Sequence, residues 1–162
     1  ELPKDLCWHF VGTLQKNKVA LAMAHFSMIH SIDTPDLALA LSTKGEQQGR
    51  RCRVLLQVNT SGETSKHGLS AEEWSLHVDE VMKYEGLEVV GLMTMAPPID
   101  EEWILRKCFR KLREFRDEVR DRRGDGVLWP HLSMGMSRDY PIAIEEGATL
   151  LRLGTAIFGE LS

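Results

Sequence analysis

The sequence predicts an α/β fold in which about six βα units feed a parallel sheet. Short apolar runs rich in Val, Ile, Leu and Met recur along the whole chain, as in strands buried on both faces. Longer amphipathic stretches separate them, as in the helices that must connect parallel strands. No linker or shift in composition interrupts the 162 residues, so one domain, 1–162, is expected.

The strand candidates, in order, are residues 8–12 (WHFVG), 28–32 (MIHSI), 54–59 (VLLQVN), 87–93 (LEVVGLM), 131–133 (HLS) and 150–154 (LLRLG), each followed by a helical stretch. The clearest helix spans 101–123, where Ile104, Cys108, Leu112, Phe115 and Val119 recur every three or four residues and form one apolar stripe. Pro97 and Pro98 stop any helix from starting earlier. Nine of the twenty Lys and Arg residues lie on this helix, interleaved with Glu114, Asp117, Glu118 and Asp121 at helical spacings, which reads as a solvated outer face rather than an RNA site. Residues 42–51 and 124–126 read as flexible connections, and there are no fixed-period repeats or low-complexity tracts. Six parallel units fit either an open doubly wound sheet or an incomplete (β/α) barrel, and periodicity leaves both open.

A formal charge of -4 argues against a general polyanion binder, so no nucleic-acid partner is expected and any anion site must be local. No apolar run approaches the roughly 20 residues that cross a bilayer. The opening ELPKDLCWHF lacks the layout of a signal peptide, so a cytoplasmic protein without a membrane partner is expected. Cys7, Cys52 and Cys108 have neither disulfide nor zinc spacing and read as buried thiols, and no metal site is expected. His25, His30, His67, His77 and His131 show no ligand spacing either. Without a Ser-His-Asp order, a Walker loop or a G-x-G-x-x-G, nothing supports hydrolysis or dinucleotide binding.

The C-terminal third is the most informative segment. HLSMGMSRD precedes a helix holding Ala143, Ile144 and Ala148, and LRLGTAIFG follows. Ser137 reads as a helix N-cap with Asp139 in the first turn, and Gly135 as a point where backbone can approach an anion. Gly154 and Thr155 supply a second loop. Free N–H groups at two helix starts, with the Ser133, Ser137 and Thr155 hydroxyls, would form a phosphate site without a lysine. The alternative is that Ser137 is only a cap and Gly154 only a turn. Arg152 lies on an otherwise apolar strand and needs a partner, either a ligand or an ion pair with Glu145 or Glu146. Alternation along the strand puts Arg152 and Gly154 on one face, able to address one ligand. His9 and Asn59 read as pocket residues or as a core histidine and a turn former. Met93, Met95, Met134 and Met136 read as barrel filling and pocket wall.

Six segments together resemble the YggS/PROSC family: WHFVGTLQKNK (8–18), IHSID (29–33), LLQVNTSGETSKHG (55–68), GLMTM (91–95), LSMGMSRD (132–139) and EEGATLLRLGTAIFG (145–159). They run in order over the whole chain. The resemblance implies a TIM-type barrel like the alanine racemase N-terminal domain, here incomplete, with six βα units that correspond to strands three to eight. It implies pyridoxal 5'-phosphate (PLP) as ligand, no enzymatic activity, and a role in vitamin B6 homeostasis through buffering and delivery of the cofactor, with PLP-dependent apoenzymes as recipients. In the family pattern Arg152 faces the pyridine nitrogen, Gly154 and Thr155 face the phosphate, and Ser133, Met136 and Ser137 match the other phosphate loop. An arginine stays protonated, so facing that nitrogen it donates a hydrogen bond and leaves the ring a poor electron sink.

The family's first two βα units, with the Schiff-base lysine and a G-E-N-Y type segment, have no counterpart in this chain. None of Lys4, Lys16, Lys18, Lys44, Lys66, Lys83, Lys107 and Lys111 ends an apolar strand in a setting that would make it a nucleophile. Two other readings are a racemase- or decarboxylase-type PLP enzyme fragment and a truncated remnant that binds nothing. An incomplete barrel also presents strand edges through which self-association is expected.

Overall fold

The computed structural model describes residues 3, 5–63, 67–124 and 128–159. Six strands, β1 (His9–Phe10), β2 (Met28–Ile32), β3 (Cys52–Gln57), β4 (Leu87–Met93), β5 (His131–Met136) and β6 (Leu150–Arg152), form one sheet in which every pairing is parallel. Their spatial order is their sequence order. A doubly wound sheet reverses direction at a switch point, whereas uninterrupted sequential order is that of a (β/α) barrel. The sheet is therefore an incomplete TIM-type barrel, and the ambiguity left by periodicity is resolved.

Helices α1 (Val19–His25), α2 (Pro35–Gln47), α3 (Ala71–Val81), α4 (Glu102–Arg123), α5 (Tyr140–Glu145) and α6 (Thr155–Phe158) follow the successive strands. Local sequence sets their starts. Thr34 caps α2 ahead of Pro35, and Ser70 with Glu73 forms a reciprocal capping box on α3. On α4 the buried stripe is Leu105, Cys108, Phe109, Leu112, Phe115 and Val119, with Ile104 half-buried beside it. Each large side chain on that stripe contributes roughly 1.5–3 kcal/mol by leaving water.

The two faces of the sheet differ. Val54, Leu56 and Val58 join the helical residues Trp74 and Phe109 in the main core, so that face is the outer one, covered by helices. The alternating partner Leu55 instead meets Met28, Val90, Met93 and Leu150, none of them helical, on the concave face.

Several expectations change. α2 runs on to Gln47, through the segment read as a loop, because Ser42 and Gly45 pack against a turn. Ser42 Oγ accepts from the Gly86 N–H at 3.1 Å, and a Cβ on Gly45 would meet the Gly86 carbonyl oxygen at 2.5 Å. Strand β5 continues to Met136, so Ser133 lies within the strand. Cys7 is exposed, while Cys52 and Cys108 are buried. The outer face of α4 is not simply solvated, since Arg106, Arg110 and Arg113 cross to Glu146 after α5. Of the connection read at 124–126, Gly124 closes α4 at φ 72°, and the rest lies outside the described residues.

Candidate functional site

The candidate site lies at the C-terminal ends of β4, β5 and β6. There, a cavity of about 330 Å³ is lined by residues 96–99 after β4, by Met136 at the end of β5 with residues 137–139 after it, and by Arg152, Gly154 and Thr155. Its volume sits at the lower end of small-molecule pockets, roughly 300–1,000 Å³. Three βα loops converge because parallel strands all deliver their C-terminal ends to one rim.

Ser137 joins two of these loops. Its Oγ accepts the backbone N–H groups of Gly154 at 3.0 Å and Ala156 at 3.1 Å. The N-cap of α5 is Asp139 rather than Ser137, and the Asp139 carboxylate instead accepts the Met136 N–H at 2.6 Å. Ser137 thus gathers amide donors at the start of α6, where the sequence reading had it capping α5. A side chain at position 154 would extend into open space, since nothing lies within 4 Å of a Cβ built there. Gly135 has a different task from the one expected. At φ 92° its missing Cβ would meet Ala143 Cβ at 2.6 Å, so this glycine lets α5 pack on β5.

Arg152 reaches from the cavity wall into the barrel. Its Nη1 donates to Ser133 Oγ at 2.7 Å and its Nη2 to the Thr94 carbonyl at 2.8 Å. Burial pushes its pKa down to about 10, the Asp139 charge opposing, so the guanidinium stays charged at neutral pH. Glu145 and Glu146 are engaged by α4 arginines and do not pair with Arg152 among the described interactions. Fully buried Ser133 also contacts His30 Nδ1 at 2.9 Å, and His30 Nε2 contacts His9 Nδ1 at 3.0 Å. Burial, reinforced by His9, Arg152 and His131, pushes the His30 pKa down to about 3, so this ring is neutral.

Of the residues expected at the site, Met136, Ser137, Arg152, Gly154 and Thr155 line the cavity, while Ser133 stands behind Arg152. Asn59 is a turn former, its side chain bonded to Glu63 O and to Gly62 N, whereas His9 faces the interior. Sequence reasoning missed His30 and Thr94 as supports for Arg152. Both lie in the quoted IHSID and GLMTM segments, but only the curl of the sheet shows what they touch. No described lysine lines the cavity, and Lys4 and Lys66 lie outside the described residues.

Residues 4–162 match the family model described as alanine racemase, N-terminal domain. The chain belongs to this family. Among curated members it is 43% identical over 156 residues to the pyridoxal phosphate homeostasis protein of Aquifex aeolicus, covering 96% of this chain and 68% of the relative. Against the protein of the same name from Vibrio cholerae, 37% identical, it spans 64% of the relative's length. Solved structures of PipY from Synechococcus elongatus, 34% identical, superpose with a TM-score of 0.89 without PLP and 0.87 with PLP bound; the first covers 97% of this chain and 73% of that one. The motif-level resemblance and the barrel it implied are thus borne out.

Proposed function

We propose that this chain binds PLP at the cavity between the β4, β5 and β6 loops and takes part in vitamin B6 homeostasis, holding and passing on the cofactor without transforming it. The observation that carries this reading is Arg152, a half-buried cation beside a cavity, with hydrogen-bond donors to spare and no carboxylate within ion-pair distance among the described residues. The Ser137 hydroxyl, which accepts the Gly154 and Ala156 N–H groups and keeps its own proton to donate, and the open space at Gly154 suit a phosphate, and Met136 offers an apolar wall to a ring. When bound, PLP supplies an aldehyde and an electron-withdrawing ring. Arg152 donates to the ring nitrogen and keeps it unprotonated, which weakens the ring as an electron sink and favours holding over catalysis. The names of the relatives and the PLP-bound PipY structure support the choice of ligand. PLP-dependent apoenzymes are the proposed recipients.

Titrating the chain with PLP, following the ligand's absorption and the thermal midpoint together, tests this reading. Saturable binding with a raised midpoint is expected, and neither change would sink it. Formation of D-alanine from L-alanine in the PLP-loaded sample would replace the carrier role with a racemase.

A further inference from the structure

The concave face of the sheet carries a line of polar groups running from one edge strand to the other. Arg152 on β6, Ser133 on β5, His30 on β2 and His9 on β1 are linked at 2.7, 2.9 and 3.0 Å. Strands β3 and β4 lie between β2 and β5 in the sheet, so the sheet must curl far enough for residues 103 apart in sequence to touch across the interior.

Hydrogen counting gives this line a direction. Arginine can only donate, so Ser133 Oγ accepts from it. Ser133 is fully buried, and its hydroxyl proton has no described acceptor other than His30 Nδ1. A proton on Nδ1 instead would strand the serine proton in the interior, at a cost of about 1–3 kcal/mol. His30 is neutral, so a bare Nδ1 leaves its proton on Nε2, facing His9 Nδ1. His9 must accept there and carries its own proton on Nε2. Every donor therefore points away from the guanidinium, as the dipoles of a solvation shell would.

We propose that Ser133, His30 and His9 form a one-way hydrogen-bond chain that positions Arg152 at the cavity and solvates its buried charge. The three are positioning residues, and their importance for ligand binding rests on the reading of the cavity as a PLP site. Burial and the charge of the exposed Arg53 on β3, itself paired with Glu88, disfavour a second cation on His9, while burial, His9, Arg152 and His131 of β5 do so at His30. A proton added to His30 would turn Nδ1 into a donor and set it against the Ser133 hydroxyl. The chain thus tolerates no cation besides Arg152.

The test uses the whole chain, labelled with nitrogen-15 in histidine and arginine. At neutral pH, His30 and His9 are expected as Nε2–H tautomers, and Arg152 side-chain N–H signals as sharp and slowly exchanging. In His30→Asn the carboxamide oxygen can accept from Ser133, and the Arg152 signals should stay sharp. In His30→Leu they should broaden. PLP affinity should follow them, falling about tenfold in His30→Leu and within about twofold of wild type in His30→Asn. An Nδ1–H tautomer at His30, or equal Arg152 broadening in both variants, would overturn the proposal. If the wild-type chain binds no PLP, the ligand reading falls, while the tautomers and arginine signals still decide the chain.

Discussion

Glu146 and Arg152 both bring a charge out of water, one at the end of α5 and the other on β6, and the protein answers them differently. Glu146, its side chain 4% exposed, takes Arg106 at 3.2 Å, Arg110 at 3.0 Å and Arg113 at 3.2 Å, and Arg113 also donates to its backbone carbonyl. Its carboxylate is saturated with opposite charge and has nothing left to offer a ligand. Arg152 has no ion pair among the described residues: its hydrogen-bond partners are two dipoles, the Ser133 hydroxyl and the Thr94 carbonyl, with the Asp139 charge farther off, so three of its five N–H groups have no partner among the described residues. A buried charge fully matched by countercharge is a structural clasp, whereas one solvated by dipoles on one side keeps its capacity for a ligand on the other.

That contrast is broken most directly by Arg152→Leu. PLP affinity should fall about 100-fold, since charge-assisted hydrogen bonds are each worth about 1.5–3 kcal/mol. Inorganic phosphate, which has no ring nitrogen, should bind as before, and the thermal midpoint should move little because a buried cation without a countercharge contributes little to folding. Calorimetry with both ligands checks this. Equal losses for both would make Arg152 a general electrostatic group and erase its difference from a surface arginine.

Glu146→Gln should do the reverse, lowering stability while sparing PLP affinity. The expected loss is about 1–2 kcal/mol, as hydrogen bonds to a charged acceptor become neutral ones. Hydrogen bonding from Arg110, opposed by burial and aided by Arg106, holds the Glu146 pKa below its ordinary 4.5. A lowered folded-state pKa means the contribution is fully present above the unfolded value and is lost as pH falls through the folded one. The thermal midpoints of wild type and variant should therefore differ at neutral pH and converge only as pH falls through the lowered folded-state value. A constant gap down to the lowest pH would show that Glu146 acts through packing alone.

Smaller effects are expected at the loop that Arg152 does not touch. Ser137→Ala removes the hydroxyl that orders the Gly154 and Ala156 amides and can donate to a phosphate, and Gly154→Val fills open space in the cavity. Each should weaken PLP and inorganic phosphate alike by roughly three- to tenfold, the scale of one neutral hydrogen bond. Affinity for phosphate that survives both changes would place the anion elsewhere.

The sequence made some of this legible and hid the rest, for physical reasons. Strand β4 and helix α4 match the sequence reading to within a residue, because a short run rich in Leu, Val and Met and a long helical stripe leave little choice. Arg152 stood out because a charge on an apolar strand demands a partner. What it would touch could not be read, since Ser133 and Thr94 reach it only through sheet curvature, and pairwise spacing along a chain carries no curvature. Ser137 shows the same limit. Its residue type announced a cap, but the N–H groups it accepts belong to another loop, 17 and 19 residues on. His30 shows no ligand spacing in the sequence, and only the ring of neighbours around it sets its proton.

The smallest effect expected is covalent capture of the ligand by a lysine. Reaction with an aldehyde needs an unprotonated amine held near it, and a lysine acquires that state by burial or by a neighbouring cation. Lys16, Lys18, Lys83, Lys107 and Lys111 are exposed and Lys44 is only half-buried, and none of the six lines the cavity beside Arg152 and Gly154. Any adduct should therefore form at the rate of free surface amines and spread over several positions. Incubation with excess PLP, reduction with borohydride and peptide mapping by mass spectrometry measure this, with diffuse labelling well below one per chain as the expected result. Stoichiometric modification of a single lysine would show that the chain holds the ligand in a second way, and Arg152→Leu would then separate the two. Labelling that survives the loss of Arg152 belongs to the lysine alone, whereas labelling that falls with it means that the arginine's non-covalent hold comes first.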